Sequence, residues 1–179
     1  MNPLEPDHRT LLSSKAGVPQ APVDLDDGDK QIIAILQADG RRSYAAIAKQ
    51  VGVSEGTARS RVQRLTESGL LQIVGIADPL RLGFGTMAMI GIRAMPGKAH
   101  DVCRSLVAIP ETSYVVMATG RFDVFAELVC RDLIALRELL TDRVQTIEGI
   151  TSAESFVLLE IHKLAYGWGV GEVELAPEH

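Results

Sequence analysis

The sequence predicts an α+β protein: an amino-terminal helix-turn-helix (winged-helix-like) domain followed by a ferredoxin-like βαββαβ domain. Two observations carry this. Between Ser43 and Leu65, two short segments of helical period flank Gly52, and from Met87 to Leu164 the pattern runs strand, helix, strand twice over.

The first domain is expected to hold three helices. Asp24 to Gly40 reads as the first, with acidic residues at its positive amino end and Ile32, Ile35 and Leu36 on one side. Ser43 and Ser54 are suited to cap the next two, because a serine oxygen accepts from the free N–H groups of a first helical turn. Ile47, Ala48 and Val51 form an apolar stripe on the second helix, and Ala58, Val62 and Leu65 form one on the third. The opposite faces stay free for a ligand, and their charge says which. Arg41, Arg42, Lys49, Arg59, Arg61 and Arg64 stand against one acid, Glu55, in a chain of formal net charge −5. A cationic face neutralises phosphate and gains from counterion release, whereas the acidic remainder repels nucleic acid. Double-stranded DNA is therefore the expected partner of this segment alone.

Ser54 caps the third helix, and Glu55, Gly56, Thr57 and Ser60 stand at its head, where a recognition helix carries its base-reading residues. Arg59, Arg61 and Arg64 are the candidates for phosphates or guanine edges, joined by Arg41 and Arg42 from the preceding turn. Gly56 admits two readings: the helix starts late, or the missing side chain lets the backbone approach the groove. The plainer alternative is a small helical subdomain whose charges only solvate its surface. It leaves the coincidence of turn glycine, two caps, helix spacing and basic face unexplained.

Residues 1–23 carry Pro3, Pro6, Pro19 and Pro22 among polar residues without a period, which describes a flexible arm. The helix-turn-helix domain is expected over 24–70, a β hinge over 71–85, the ferredoxin-like domain over 86–165 and a tail over 166–179. The hinge rests on a β-rich run at 71–77 stopped by Asp78-Pro79. In the second domain, strands are expected at 87–95, 112–119, 122–130 and 155–164, and helices at 98–107 and 132–145. Leu133, Leu136, Leu140 and Val144 would share one face of the later helix. Several strands are apolar on both sides: Met89 neighbours Ile90, and Leu158 neighbours Leu159. Two helices cover one side of the sheet, and a second copy of the chain is expected on the other, giving a homodimer. The helical domain folding onto that face is the alternative.

Nothing local points to catalysis. His8, His100, His162 and His179 are scattered, and no His-x-x-x-His, Cys-x-x-Cys, Gly-x-Gly-x-x-Gly or Gly-Lys-Ser/Thr spacing occurs. No catalytic residue, metal or cofactor is expected. Cys103 and Cys130 are too few for a disulfide scaffold and sit in apolar patterns as free thiols. The longest apolar run, 82–92, is about half of a bilayer span, and the amino terminus lacks a basic region before a hydrophobic one. The expectation is a cytoplasmic, nucleoid-associated protein without a membrane partner.

Four motifs combine into a family pattern. Asp24-Leu25-Asp26, the turn from Ile47-Ala48 to Val51-Gly52-Val53-Ser54, Arg61-Val62-Gln63-Arg64-Leu65 to Gly69-Leu70-Leu71, and Gly120-Arg121-Phe122-Asp123 together resemble the Lrp/AsnC (feast/famine) regulators. The resemblance implies a helix-turn-helix domain, a β hinge and a ferredoxin-like ligand-response domain that dimerises through its sheets and often forms octamers. It also implies a small-molecule effector, commonly an amino acid, near the turn between the second and third strands, where dimers meet.

That turn is Thr119-Gly120-Arg121-Phe122-Asp123. Gly120 permits a positive φ that leaves N–H groups free for a carboxylate, and Asp123 is suited to hold an α-ammonium by a charge-assisted hydrogen bond. From the turn alone a plain tight hairpin is the better account, since glycine and aspartate are favoured turn residues. The resemblance reverses that preference, and it adds Met117, Gln145 and Phe156 as residues lining or bordering the pocket. Many family members carry an acid where Arg121 stands, so here a cationic effector loses a partner and an acidic or neutral one gains it.

The expected function is a sequence-specific transcription regulator modulated by an effector, with two-fold related recognition helices on a pseudo-palindromic site. One alternative is an architectural DNA-wrapping protein without effector. Another is a tetrapyrrole-processing enzyme of related fold, which needs a cluster of His, Tyr and Arg where residues 71–95 offer only Arg81 and Arg93.

Overall fold

The structure, a computed structural model, describes residues 24–163, so the arm at 1–23 and the tail at 166–179 lie outside the described residues. The described chain divides into two compact units, one ending at Ile76 and one running from Ala77 to Lys163.

The first unit contains α1 (Asp27–Ala38), α2 (Tyr44–Val51) and α3 (Glu55–Glu67). Each begins at a side-chain cap. Asp26 accepts from the Asp29 N–H at 2.8 Å, Ser43 from Ala46 at 3.2 Å and Ser54 from Thr57 at 3.1 Å. Gly52 ends α2 at φ 78°, a left-handed conformation that turns the chain straight into α3. Ile32, Ile47 and Leu65 are fully buried between the helices and lock their packing, since truncating one such residue to alanine costs about 2–5 kcal/mol. No strand accompanies these helices among the unit's described residues, so the winged-helix-like expectation is met by the helical core and not by a wing.

Residues 71–85 form no strand, unlike the β-rich run expected at 71–77. A ladder needs a partner, and one chain supplies none there. Leu71 joins the helical core, while Ile73, Val74 and Ile76 stay exposed.

The second unit contains β1 (Thr86–Ala94), α4 (Ala99–Val107), β2 (Thr112–Met117), β3 (Val124–Cys130), α5 (Leu133–Leu139) and β4 (Ile150–Val157). The sheet is antiparallel throughout, in the order β2-β3-β1-β4, which is the expected βαββαβ arrangement. Its inner face, with Ile90, Ile92, Val124 and Leu128, packs with Val102, Leu106 and Leu136 of the helices.

Two elements differ from expectation. α5 gives way at Leu140–Val144 to a π segment, whose wider turn brings Val144 to the buried side with Leu136 and Leu139, while Leu133 at the helix start is exposed. The last strand runs Ile150–Val157 rather than 155–164. Its start carries Thr151, Ser152, Glu154 and Ser155, which reads as loop, and its ladder ends at the Ala88–Val157 pair because β1 itself begins at Thr86. No helix of the described residues is long and apolar enough to cross a membrane. No group of three or more His, Cys, Asp and Glu among them could hold a metal ion.

Candidate functional site

Ala58, Val62 and Leu65 fix the inner side of α3, and the line opposite them is Gly56, Ser60, Gln63 and Glu67, all exposed. α3 begins at Glu55, so Gly56 lies in its first turn and the helix does not start late. A methyl group on Gly56 would meet only Ser54 Oγ, at 3.9 Å, which leaves the front of the helix open to close approach. Ser54 Oγ also lies 2.8 Å from Thr57 Oγ1, Glu55 pairs with Arg59 at 3.2 Å, and the Arg59 guanidinium sits 5.0 Å over the Tyr44 ring. Arg41, Arg42, Ser43, Tyr44 and Glu55 share an open groove of about 390 Å³. Sequence reasoning passed over Gln63, an uncharged amide on the exposed line whose Nε2 donates to Glu67 at 2.7 Å. The helical spacing from Gly56 and Ser60 was the signal for it.

Arg61 and Arg64, expected at phosphates or guanine edges, turn towards α1 instead. Arg61 Nη1 donates to both carboxylate oxygens of Asp26, at 2.6 and 2.7 Å, and to Asp29 Oδ1 at 3.1 Å; Arg64 Nη2 donates to Asp29 Oδ2 at 2.6 Å. Asp29 is 2% exposed, and a carboxylate so buried is tenable only when paired. The hydrogen bond from Arg61 holds the Asp26 carboxyl below the usual aspartate range, helped by the Asp29 N–H, and the same bond pushes Arg61 up.

In the second unit, the turn after β2 is pinned by backbone bonds. Ala118 N–H donates to Asp123 O and Asp123 N–H to Ile92 O, each at 2.9 Å. Gly120 has φ 114°, and nothing lies within 4 Å of where its Cβ would be. Asp123 Oδ2 accepts from the Ala94 N–H at 2.8 Å, so one oxygen of the expected ammonium partner is already tied to β1. Arg121 is not an isolated cation: its Nη2 donates to Glu154 of β4 at 2.6 Å, and its guanidinium lies 5.4 Å over the Phe122 ring. Phe122 in turn meets Phe125 and Phe156 edge to face, with centroids 5.5 and 6.3 Å apart. The turn and Phe156 are thus brought together through Phe122. Thr119 is exposed beside them. Met117 at the end of β2 and Gln145 after the π segment are exposed, and neither joins the turn by a hydrogen bond, ion pair or ring contact. Glu154 escaped sequence reasoning because it sits in the polar stretch that hid β4.

The profile of the AsnC-type helix-turn-helix domain matches residues 25–66, and that of the Lrp/AsnC ligand binding domain matches residues 87–167. An uncharacterised HTH-type transcriptional regulator of Pyrococcus furiosus is 36% identical over 143 residues, covering 79% of this chain and 97% of that protein. The chain belongs to the Lrp/AsnC family of transcriptional regulators. The Lrp/AsnC relatives also include the regulatory protein AsnC of Escherichia coli, 31% identical over 138 residues that cover 76% of this chain and 91% of AsnC. The solved structure of E. coli AsnC superposes with a TM-score of 0.75 at 28% identity, covering 80% of this chain and 98% of AsnC. A transcriptional regulator of Neisseria meningitidis, solved as a complex with L-methionine, shares the fold with a TM-score of 0.77 at 22% identity, over 83% of this chain and 98% of that one. These relatives are regulators and not enzymes, which removes the tetrapyrrole-processing alternative. The chain is an HTH-type regulator with a ligand-binding domain for a small molecule.

Proposed function

We propose that the protein is a sequence-specific regulator whose recognition helix α3 reads DNA and whose affinity or assembly responds to an amino acid bound at Thr119–Asp123. The observation that carries the DNA half is the open line Gly56, Ser60 and Gln63, flanked by Arg59, on a helix whose first turn is capped and exposed. Ser54, Glu55 and Thr57 complete the head of the helix, and Arg41 and Arg42 approach the phosphates from the turn before α2. Support for the effector half is the unobstructed Gly120, with the Arg121–Glu154 ion pair beside it, whose two members a zwitterion would have to share. The L-methionine complex of the Neisseria relative lends the ligand class.

A homodimer completes the molecule in this account. The outer face of the sheet carries Met89, Tyr114, Val116, Phe125 and Phe156, and Tyr114 and Phe156 are about half exposed in one chain. A second copy laid on that face buries them, and the exposed run 73–76 finds a partner strand in the same way. Higher assembly, such as an octamer, would then form around the effector turns. The test is a titration of DNA affinity with a panel of amino acids. One member shifting the affinity supports the effector; no shift with any member leaves regulation to another ligand class or to architectural wrapping without effector.

A further inference from the structure

Four charged side chains join α1 to α3 across more than thirty residues of sequence. Asp26 and Asp29 form a reciprocal cap at the start of α1, in which the Asp29 N–H donates to Asp26 at 2.8 Å and the Asp26 N–H to Asp29 at 3.4 Å. The carboxylates also receive Arg61 and Arg64, so each aspartate holds its own helix end and the neighbouring helix at once. Gly28 makes room for this: a Cβ there would stand 3.0 Å from Arg61 Nη1 and 3.2 Å from Asp26 Oδ1. On α3, Arg61 borders the apolar stripe, whereas Arg64 stands one turn after Ser60 at the side of the exposed line, and its guanidinium bends back to Asp29. The apolar stripe fixes which side of α3 faces the core. Two guanidiniums anchored on one buried and one half-exposed carboxylate add directional restraints on the rotation of the helix.

We propose that Asp26, Asp29, Arg61 and Arg64 are positioning residues for DNA recognition: they set the rotation of α3, and hence which bases Ser60 and Gln63 meet, without touching DNA. The proposal rests on the reading of α3 as the recognition helix. It assigns to two aspartates at the far end of α1 a share in base selection, and it takes two of the basic residues of the segment out of the phosphate contacts.

The experiment uses the full-length protein and the sequence that wild type selects from a randomised DNA pool. Affinity for that sequence and for random DNA is measured over a range of salt for wild type, Arg61→Gln and Asp26→Asn. Asn at position 26 still caps α1, so this variant keeps the helix start while losing the charge on Arg61. Retained helical circular dichroism at the assay temperature establishes folding. The expected result is that both variants lose preference for the selected sequence about tenfold or more, while Arg61→Gln leaves the slope of log affinity against log salt unchanged. An equal loss on both DNAs with the slope reduced by about one makes Arg61 a phosphate contact and overturns the proposal. An unchanged preference in either variant also overturns it. If wild type selects no sequence, the failure lies with sequence-specific recognition itself, and the salt slope of Arg61→Gln on bulk DNA still decides between the two roles.

Discussion

The ring of Phe122 covers Gly91 on the outer face of β1 so closely that a Cβ on Gly91 would lie 2.7 Å from Phe122 Cδ2. Only a residue without a side chain lets the ring settle there, and from that seat Phe122 reaches Phe125, Phe156 and the Arg121 guanidinium. Gly91→Ala should displace the ring and destabilise the second unit by about 1–3 kcal/mol, the usual cost of overpacking. Thermal melting checks this, and an unchanged midpoint would mean that the ring has another resting place.

The same aromatic face is the proposed dimer interface. Phe156→Glu puts a charge among Phe122 and its neighbours, where a second copy would have to bury it unpaired. Sedimentation at micromolar concentration should show a monomer with its sheet intact. A dimer as stable as wild type would place the interface elsewhere.

Asp123 accepts the Ala94 N–H and is proposed to hold the ammonium of the effector, and substitution separates the two roles. Asp123→Ala removes the acceptor of the Ala94 N–H and should cost about 1 kcal/mol of stability whatever the ligand does. Asp123→Asn keeps an oxygen for that bond and loses the charge. It is the cleaner probe: amino-acid affinity should fall about tenfold or more in calorimetric titration while the melting temperature holds. Wild-type affinity in Asp123→Asn would leave Glu154, across from Arg121, as the partner of an ammonium.

What the sequence displayed openly was local chemistry. Ser43, Gly52 and Ser54 announce helix ends because caps and left-handed turns act within a few residues. The reach of Arg61 and Arg64 back to α1 is invisible to a charge count, which has no direction, because their partners stand 32–35 residues away. β4 was misplaced because Thr151, Ser152 and Glu154 are polar for reasons of exposure, while the apolar residues after Val157 have little of β1 left to pair with. Glu154 was lost with it. The turn proposed for the effector stands out by family pattern only, since its glycine and aspartate suit any hairpin.

The Arg61–Asp26 pair also sets a pH dependence. Asp26 has its pKa lowered in the folded state, chiefly by the hydrogen bond from Arg61, so it stabilises the fold above the ordinary aspartate pKa and loses that contribution as pH falls through the folded value. Asp26→Asn should therefore melt below wild type at neutral pH, and the two curves should converge under acid conditions. Melting temperatures across that range provide the check; a gap that persists in acid would assign the effect to packing.

Whether α3 reads sequence is decided by the affinity of the full-length protein for its selected site against random DNA at one fixed salt concentration. A recognition helix gives a ratio of about 10³ or more, with base preference changed in Ser60→Ala and Gln63→Ala. A ratio near one, with both variants behaving as wild type, would contradict it and identify a protein that wraps DNA through phosphate alone.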